Sequence, residues 1–291
     1  MPRLWRINQS DGKLFIIRDY DQPSKTLKWL ESICYTERNG NGLSQPRKVG
    51  DGIQSLAIDK AARMYMVCNK TLGRHRGPVL LRLDLNRFER EDKKAARRVT
   101  DYKKRALAHV VASLPSRYPI TGIAVEPNSG NLWIVNTRGD LFEIDRINGR
   151  LRKTRRIVQV DRRARLRISP TDLVFDKQGK LYVANLGRFL IQVDPSTGRI
   201  VKIAEGGENL RVEGMAYDHL NRRILGSEIN GDQIVSVRLP EGLKKRHGRF
   251  KVPDARAIGF ILNEGLTHTG GKVRIVRWTE QRSKQDRSCA P

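Results

Sequence analysis

Residues 170–185 read Pro-Thr-Asp-Leu-Val-Phe-Asp-Lys-Gln-Gly-Lys-Leu-Tyr-Val-Ala-Asn, and residues 193–200 read Val-Asp-Pro-Ser-Thr-Gly-Arg-Ile. The first phrase is a short apolar run, a polar turn with glycine, and a second short apolar run. It reads as two strands buried on both faces and joined by a tight turn. The second phrase is a strand end, a polar turn closed by Gly198, a cation and a new apolar run. It reads as a hairpin with glycine at a positive-φ position.

Both phrases recur. The hairpin returns at 7–14 as Ile-Asn-Gln-Ser-Asp-Gly-Lys-Leu and at 144–151 as Ile-Asp-Arg-Ile-Asn-Gly-Arg-Leu, closed by Gly12 and Gly149. The strand pair returns at Ile53–Asp59 with Met64–Val67, at Ile120–Glu126 with Leu132–Asn136, and at Val212–Asp218 with Ile224–Glu228. A third strand follows each pair: Leu80 to Leu85, Leu141 to Ile144, Phe189 to Val193 and Ile234 to Val237. Four antiparallel strands per unit, repeated every roughly 40–65 residues, are the signature of a propeller blade. The strand lengths and turn glycines exclude a helical solenoid.

A fifth unit is split between the chain ends. Ala257–Ile261 and Val273–Trp278 are expected to supply its inner strands, and Leu4–Ile7 and Leu14–Arg18 its outer ones. Joining both ends in one blade closes the ring and leaves no open sheet edge. The expectation is therefore an all-β, five-bladed propeller spanning residues 1–278 as one domain. A sixth blade would arise if 20–50 hides another unit, since Trp29–Tyr35 suits strand or helix. Inserts fall at 20–50 and 86–108, the latter rich in helix formers. The polar stretch 279–291 is expected to be disordered.

The repeat phrase at 170–185 resembles those of the NHL-repeat and senescence-marker-protein (gluconolactonase-like) propellers, and the likeness runs from Leu4 to Trp278. In the gluconolactonase-like enzymes a divalent cation such as Ca²⁺ is held at the axis by Glu, Asn and Asp, oxygen ligands suited to a hard ion. Carried onto this chain, the resemblance implies a site at Asn136, Asn185, Glu213 and Glu228, and a metal-dependent lactonase or ester hydrolase. The chain departs from that pattern at Thr171, where such families often place Asp or Asn, and at Gln54 and Thr121, which are weak ligands. Buried polar groups at strand ends also need hydrogen bonds of their own, so the same residues have a purely structural reading. Asp172 is expected to point into its blade rather than to the axis.

Charge suggests a different use. The chain has 291 residues, 57 Lys and Arg against 31 Asp and Glu, and a formal net charge of +26. Such an excess favours contact with polyanions, although charge spread along the whole chain also fits a compositional bias. The loops after strand two carry Arg74 and Arg76, Arg138 and Arg188 in three successive blades. An inter-blade connection on the same face adds Arg162 and Arg163. An arginine-rimmed face suits phosphate or carboxylate, hence an acidic protein or a nucleic acid. The cations of 150–156 fall on an outer edge strand, where they discourage strand addition by other chains.

Other chemistry has little support. The three cysteines lack CxxC spacing, which argues against a disulfide framework and a zinc site. No HExxH, GxSxG or GxxxxGK[ST] motif is present. With no apolar signal region after Met1 and no run of 18 apolar residues, membrane insertion is not expected and a cytoplasmic location is the default. The leading expectation is a non-enzymatic binding or scaffold protein with no cofactor. The hydrolase is the alternative, and the sequence sets no oligomeric state.

Overall fold

The structure, a computed structural model, describes residues 3–7, 13–18, 28–39, 42–43, 47–85, 107–158, 167–186, 189–205, 212–218, 222–228, 233–238, 250–251, 256–260 and 266–269. The described elements are β-strands. The chain opens with β1 (Arg3–Ile7), β2 (Lys13–Arg18) and β3 (Lys28–Ser32), then the short β4 (Cys34–Thr36), β5 (Arg38–Asn39), β6 (Gly42–Leu43) and β7 (Arg47–Lys48). The repeats follow as β8 (Ile53–Ile58), β9 (Arg63–Cys68), β10 (Val79–Asp84) and β11 (Leu107–Ser113), then β12 (Ile120–Val125), β13 (Leu132–Asn136), β14 (Asp140–Ile144) and β15 (Leu151–Arg156). Next come β16 (Pro170–Phe175), β17 (Leu181–Asn185), β18 (Phe189–Val193) and β19 (Ile200–Glu205). The last are β20 (Val212–Asp218), β21 (Arg223–Glu228), β22 (Gln233–Arg238), β23 (Phe250–Lys251), β24 (Arg256–Phe260) and β25 (Leu266–Thr269).

Each repeat forms its own antiparallel meander. Two of the four-stranded sheets run β12-β13-β14-β15 and β20-β21-β22-β24, while β16-β17-β18-β19 gains the short β23 at its edge. This is an all-β architecture of successive, largely antiparallel sheets, consistent with a propeller. The reason lies in burial. All five residues of β13 and all five of β17 are buried, so these strands have no polar face and must be covered on both sides. Neighbouring sheets provide the cover. Tyr65, Val67 and Leu80 pack with Ile123, Ile134 and Phe142. Trp133 and Val135 pack with Phe175, Val183 and Ile191, with Trp133 edge-on to Phe175 at 6.2 Å between ring centroids. Tyr182 and Ala184 then pack with Met215 and Ile224. At the outer edge β15 has five exposed residues and one half-buried, as its cation-rich sequence requires.

The turns match their sequences. Gly149 and Gly198 have φ of 71° and 77°, and each donates its N–H to the aspartate four residues earlier, Asp145 and Asp194, at 2.8 and 2.7 Å. Gly12 lies outside the described residues. The turns after strand one are tied by buried aspartates. Asp59 accepts the N–H groups of Ala61 and Arg63, and Asp176 those of Gln178 and Lys180. The tyrosine six residues on donates to the same carboxylate in each case, Tyr65 to Asp59 and Tyr182 to Asp176.

Several expectations need correction. Residues 256–260 do not start a terminal unit: β24 pairs with β22 as the fourth strand of the β20 sheet. The sheet joining both ends of the sequence runs β25-β1-β2-β3. One C-terminal strand therefore meets three N-terminal ones, with Arg3 opposite Thr269 and Arg6 opposite Leu266. Residues 273–278 lie outside the described residues. The segment 20–50 supplies no separate four-stranded sheet among the described residues. It contributes β3 to the terminal sheet, while β4 and β7 extend the β8–β11 sheet to six strands. Residues 86–106 and the stretch 279–291 lie outside the described residues. Cys68 is a buried free thiol, whereas Cys34 is disulfide-bonded, which the cysteine spacing did not anticipate.

The first strands share the interior. β8 packs on β12, β12 on β16 and β16 on β20, while β25 packs on both β20 and β8. Among the described residues no helix is long and apolar enough to cross a membrane.

Candidate ligand face at the strand-one ends

The N-terminal ends of β8, β12, β16 and β20 share an irregularity. The pairing with strand two slips between Ile53 and Ser55, Ile120 and Gly122, Pro170 and Asp172, and Val212 and Gly214. Each slip is a bulge, in which one extra residue is left out of the ladder and its side chain is re-aimed. The extra residues are Gln54, Thr121, Thr171 and Glu213, and all four are half-buried. The last residues of strand two stand opposite: Cys68 pairs with Ile53, Asn136 with Ile120, Asn185 with Pro170 and Glu228 with Val212. The proposed metal positions are thus equivalent in register.

The two asparagines are engaged elsewhere. The Asn136 side-chain carbonyl accepts the backbone N–H groups of Arg138 and Asp140 at 3.0 and 2.9 Å. Its amide donates to Ser116 Oγ and to Asp140 Oδ2. Asn185 accepts the N–H of Ser169 at 2.7 Å and donates to the carbonyls of Arg167 and Leu186. Each buried amide closes a turn and anchors the chain entering strand one, which is the hydrogen-bonding such groups need. Glu213 differs, since burial alone lifts its carboxyl above the ordinary glutamate range. The Glu228 side chain lies outside the described residues. Among the described residues no group of three or more His, Cys, Asp or Glu side chains is placed to hold a metal ion.

Asp172 sits beside these bulges and does not stay within its own sheet. It is 1 % exposed. Oδ1 accepts the Ser55 hydroxyl of β8 at 3.0 Å, and Oδ2 accepts the Met215 N–H of β20 at 2.6 Å. Ser55 Oγ in turn accepts the N–H of Ile123 on β12. One carboxyl therefore ties four first strands together. Gly122 makes room, for a Cβ there would lie 2.6 Å from Asp172 Oδ1. Burial pushes the Asp172 carboxyl up to about 8, against the pull of the N–H and O–H donors around it.

The arginine-bearing loops lie on the same face and are laced to one another. Leu72 and His75 exchange backbone hydrogen bonds, so Gly73 and Arg74 form the tip of a small hairpin. Glu37 Oε1 accepts the Arg74 N–H at 3.3 Å. His75 Nδ1 lies 3.3 Å from Ser113 Oγ, and Leu114 donates to the Pro78 carbonyl at 2.7 Å. Asn69 both accepts from the Ile120 N–H and donates to its carbonyl. Arg74, Arg76, Arg117 and Arg138 are exposed, and the Arg138 guanidinium carbon stands 4.9 Å from the Tyr118 ring centroid. Of the other cations named from the sequence, Arg162, Arg163 and Arg188 lie outside the described residues.

Sequence reasoning missed Asp172, Asn69 and Tyr118 as organisers of this face. Asp172 had a readable signal: the third position of each first strand is Ser55, Gly122, Asp172 and Gly214, one acid among three small residues. Asn69 and Tyr118 sit in loops whose partners only the pairing of neighbouring sheets reveals.

No family model matches the chain, and no curated protein matches it. Among solved structures, a protein of unknown function from Bacteroides caccae is 13 % identical over 83 % of this chain and 70 % of its own, with a TM-score of 0.42. A protein of unknown function from Bacteroides thetaiotaomicron is 11 % identical over 81 % of this chain and 55 % of its own, with a TM-score of 0.46. Kuenenia stuttgartiensis hydrazine synthase is 12 % identical over 64 % of this chain and 45 % of its own, with a TM-score of 0.39. The chain is similar to each of these at that level, and none of them assigns it an activity.

Proposed function

We propose that this chain is a five-bladed β-propeller of the NHL-repeat and gluconolactonase-like kind, a single domain over residues 1–278. In this reading it is a non-enzymatic binding or scaffold module whose arginine-bearing face takes up an acidic or anionic partner. The pairing of β1 with β25, and the packing of β25 on both β20 and β8, support ring closure. The observation that carries the functional reading is the contrast on one face. The Asn136 and Asn185 amides are committed to partners within the protein, while Arg76 and Arg138 are exposed.

The test must separate this face from the charge of the whole molecule. One variant combines Arg74→Ala, Arg76→Ala and Arg138→Ala. Its control combines Arg152→Ala, Lys153→Ala and Arg155→Ala on β15, with the same loss of charge. Each is titrated with inorganic polyphosphate over a salt series. The face variant is expected to bind roughly tenfold more weakly, with a salt dependence shallower by about two counterions, while the control changes little. Equal losses in both variants would assign the binding to bulk charge and contradict the proposal.

A metal-dependent lactonase or ester hydrolase is the second reading. It is favoured by the half-buried Glu213, which stands beside the residue paired with Glu228. It requires purified protein to carry a divalent cation, lost in Glu213→Gln. Protein without Ca, Mg, Mn or Zn on elemental analysis contradicts it.

A further inference from the structure

Tyr118 is a large aromatic exposed at 40 %. It lies in the connection from β11 to β12, and that connection is held firmly. Ser116 Oγ donates to the Tyr118 carbonyl at 2.7 Å and accepts the Tyr118 N–H at 3.3 Å. The amide of Asn136 donates to the same oxygen at 3.2 Å. The carbonyl of Asn136 fixes the backbone of Arg138, and Thr137 donates to the Pro119 carbonyl at 3.0 Å. One buried asparagine thus organises both halves of the Tyr118–Arg138 pair. The backbone beneath both side chains is fixed before any ligand arrives, and the guanidinium carbon already stands 4.9 Å from the ring centroid.

We propose that Tyr118 and Arg138 form a stacking platform for a base of single-stranded nucleic acid, with the neighbouring Arg117 and Arg76 taking its phosphates. This deepens the basic-face reading and rests on it. The choice of partner follows from the chemistry of the pair. An acidic peptide needs only cations, which the molecule carries everywhere. A base offers a flat π surface that a tyrosine ring and a planar guanidinium both match, and its backbone supplies the negative charge. Exposed aromatics interleaved with arginines are how single strands are held without reading their sequence.

The experiment compares a labelled oligothymidylate, inorganic polyphosphate and polyglutamate by fluorescence anisotropy at one salt concentration. Tyr118→Ala is expected to weaken oligothymidylate binding about tenfold, the scale of one lost stacking contact, and to change polyphosphate binding less than about twofold. Tyr118→Phe keeps the ring and is expected to bind like the parent. Because Tyr118 is a loop residue, an unchanged melting temperature confirms that each variant is folded. Three results would overturn the proposal: unchanged oligothymidylate binding in Tyr118→Ala, equal loss for both phosphate probes, or polyglutamate binding tighter than oligothymidylate. Equal loss would mean that Tyr118 only positions Arg138. Should the three-arginine variant also leave polyphosphate binding intact, the basic-face reading fails as well. Failure at Tyr118 alone leaves that reading standing.

Discussion

Asp172 shows how much one side chain can hold together. It is an acid in a column of small residues, and its carboxyl reaches β8 and β20 while Ser55 extends the network to β12. Asp172→Ala leaves the Met215 N–H buried without its acceptor, so urea denaturation is expected to show a loss of about 2 kcal/mol or more. The loss should depend on pH. With a folded-state value near 8 and an unfolded one near 4, the folded protein retains a proton that the unfolded chain releases. The contribution of Asp172 is therefore complete below about pH 4 and declines as pH rises toward about 8. The gap between parent and variant should be wider at about pH 5 than at about pH 8, and a gap that widens with pH would refute this ionisation. The roles of Asn136 and Asn185 were only half legible in the sequence. Their recurrence at the end of strand two marks them as important, but the same residue type serves a cation or a turn. What decides between them is whether backbone N–H groups fall within reach, and only the folded turn shows that.

At the level of elements, the strand pairs, the hairpin glycines and the cationic edge strand were legible because each follows from local rules. Alternation, turn chemistry and the placement of charge on β15 need no distant partner. The bulges were not legible. A slip of one residue at Gln54, Thr121, Thr171 and Glu213 leaves composition and spacing unchanged, yet it decides which side chains line the face. The insert at 20–50 was misjudged for a related reason. Its short strands are completed by β2 and β11, partners set by three-dimensional neighbourhood. The hairpin bearing Arg74 offers a test at this scale. Gly73 has φ of 54°, and a Cβ there would run into the Glu37 carboxylate. Gly73→Ala is expected to cost about 1 kcal/mol or more in stability. It should also weaken polyphosphate binding by displacing the hairpin tip, whereas parental values for both would show that the tip accommodates the change.

At the scale of the whole molecule, one pairing joins the two ends of the sequence. β1 lies beside β25, and β25 packs on the first strands of the sheets on either side. The split of the terminal unit was foreseen, but its composition was not, because β24 satisfies the open edge of β22 first. If the sheets form a closed ring, every interface depends on the others, and the arginine loops and Glu213 share one face because of that closure. A chain lacking residues 1–18 loses β1 and β2 and leaves β25 without its partner. The most direct measurement is the thermal unfolding of that truncated chain against the full-length protein, followed by circular dichroism. Loss of the cooperative transition throughout the domain is expected. A truncated chain that melts cooperatively at the full-length temperature would contradict ring closure.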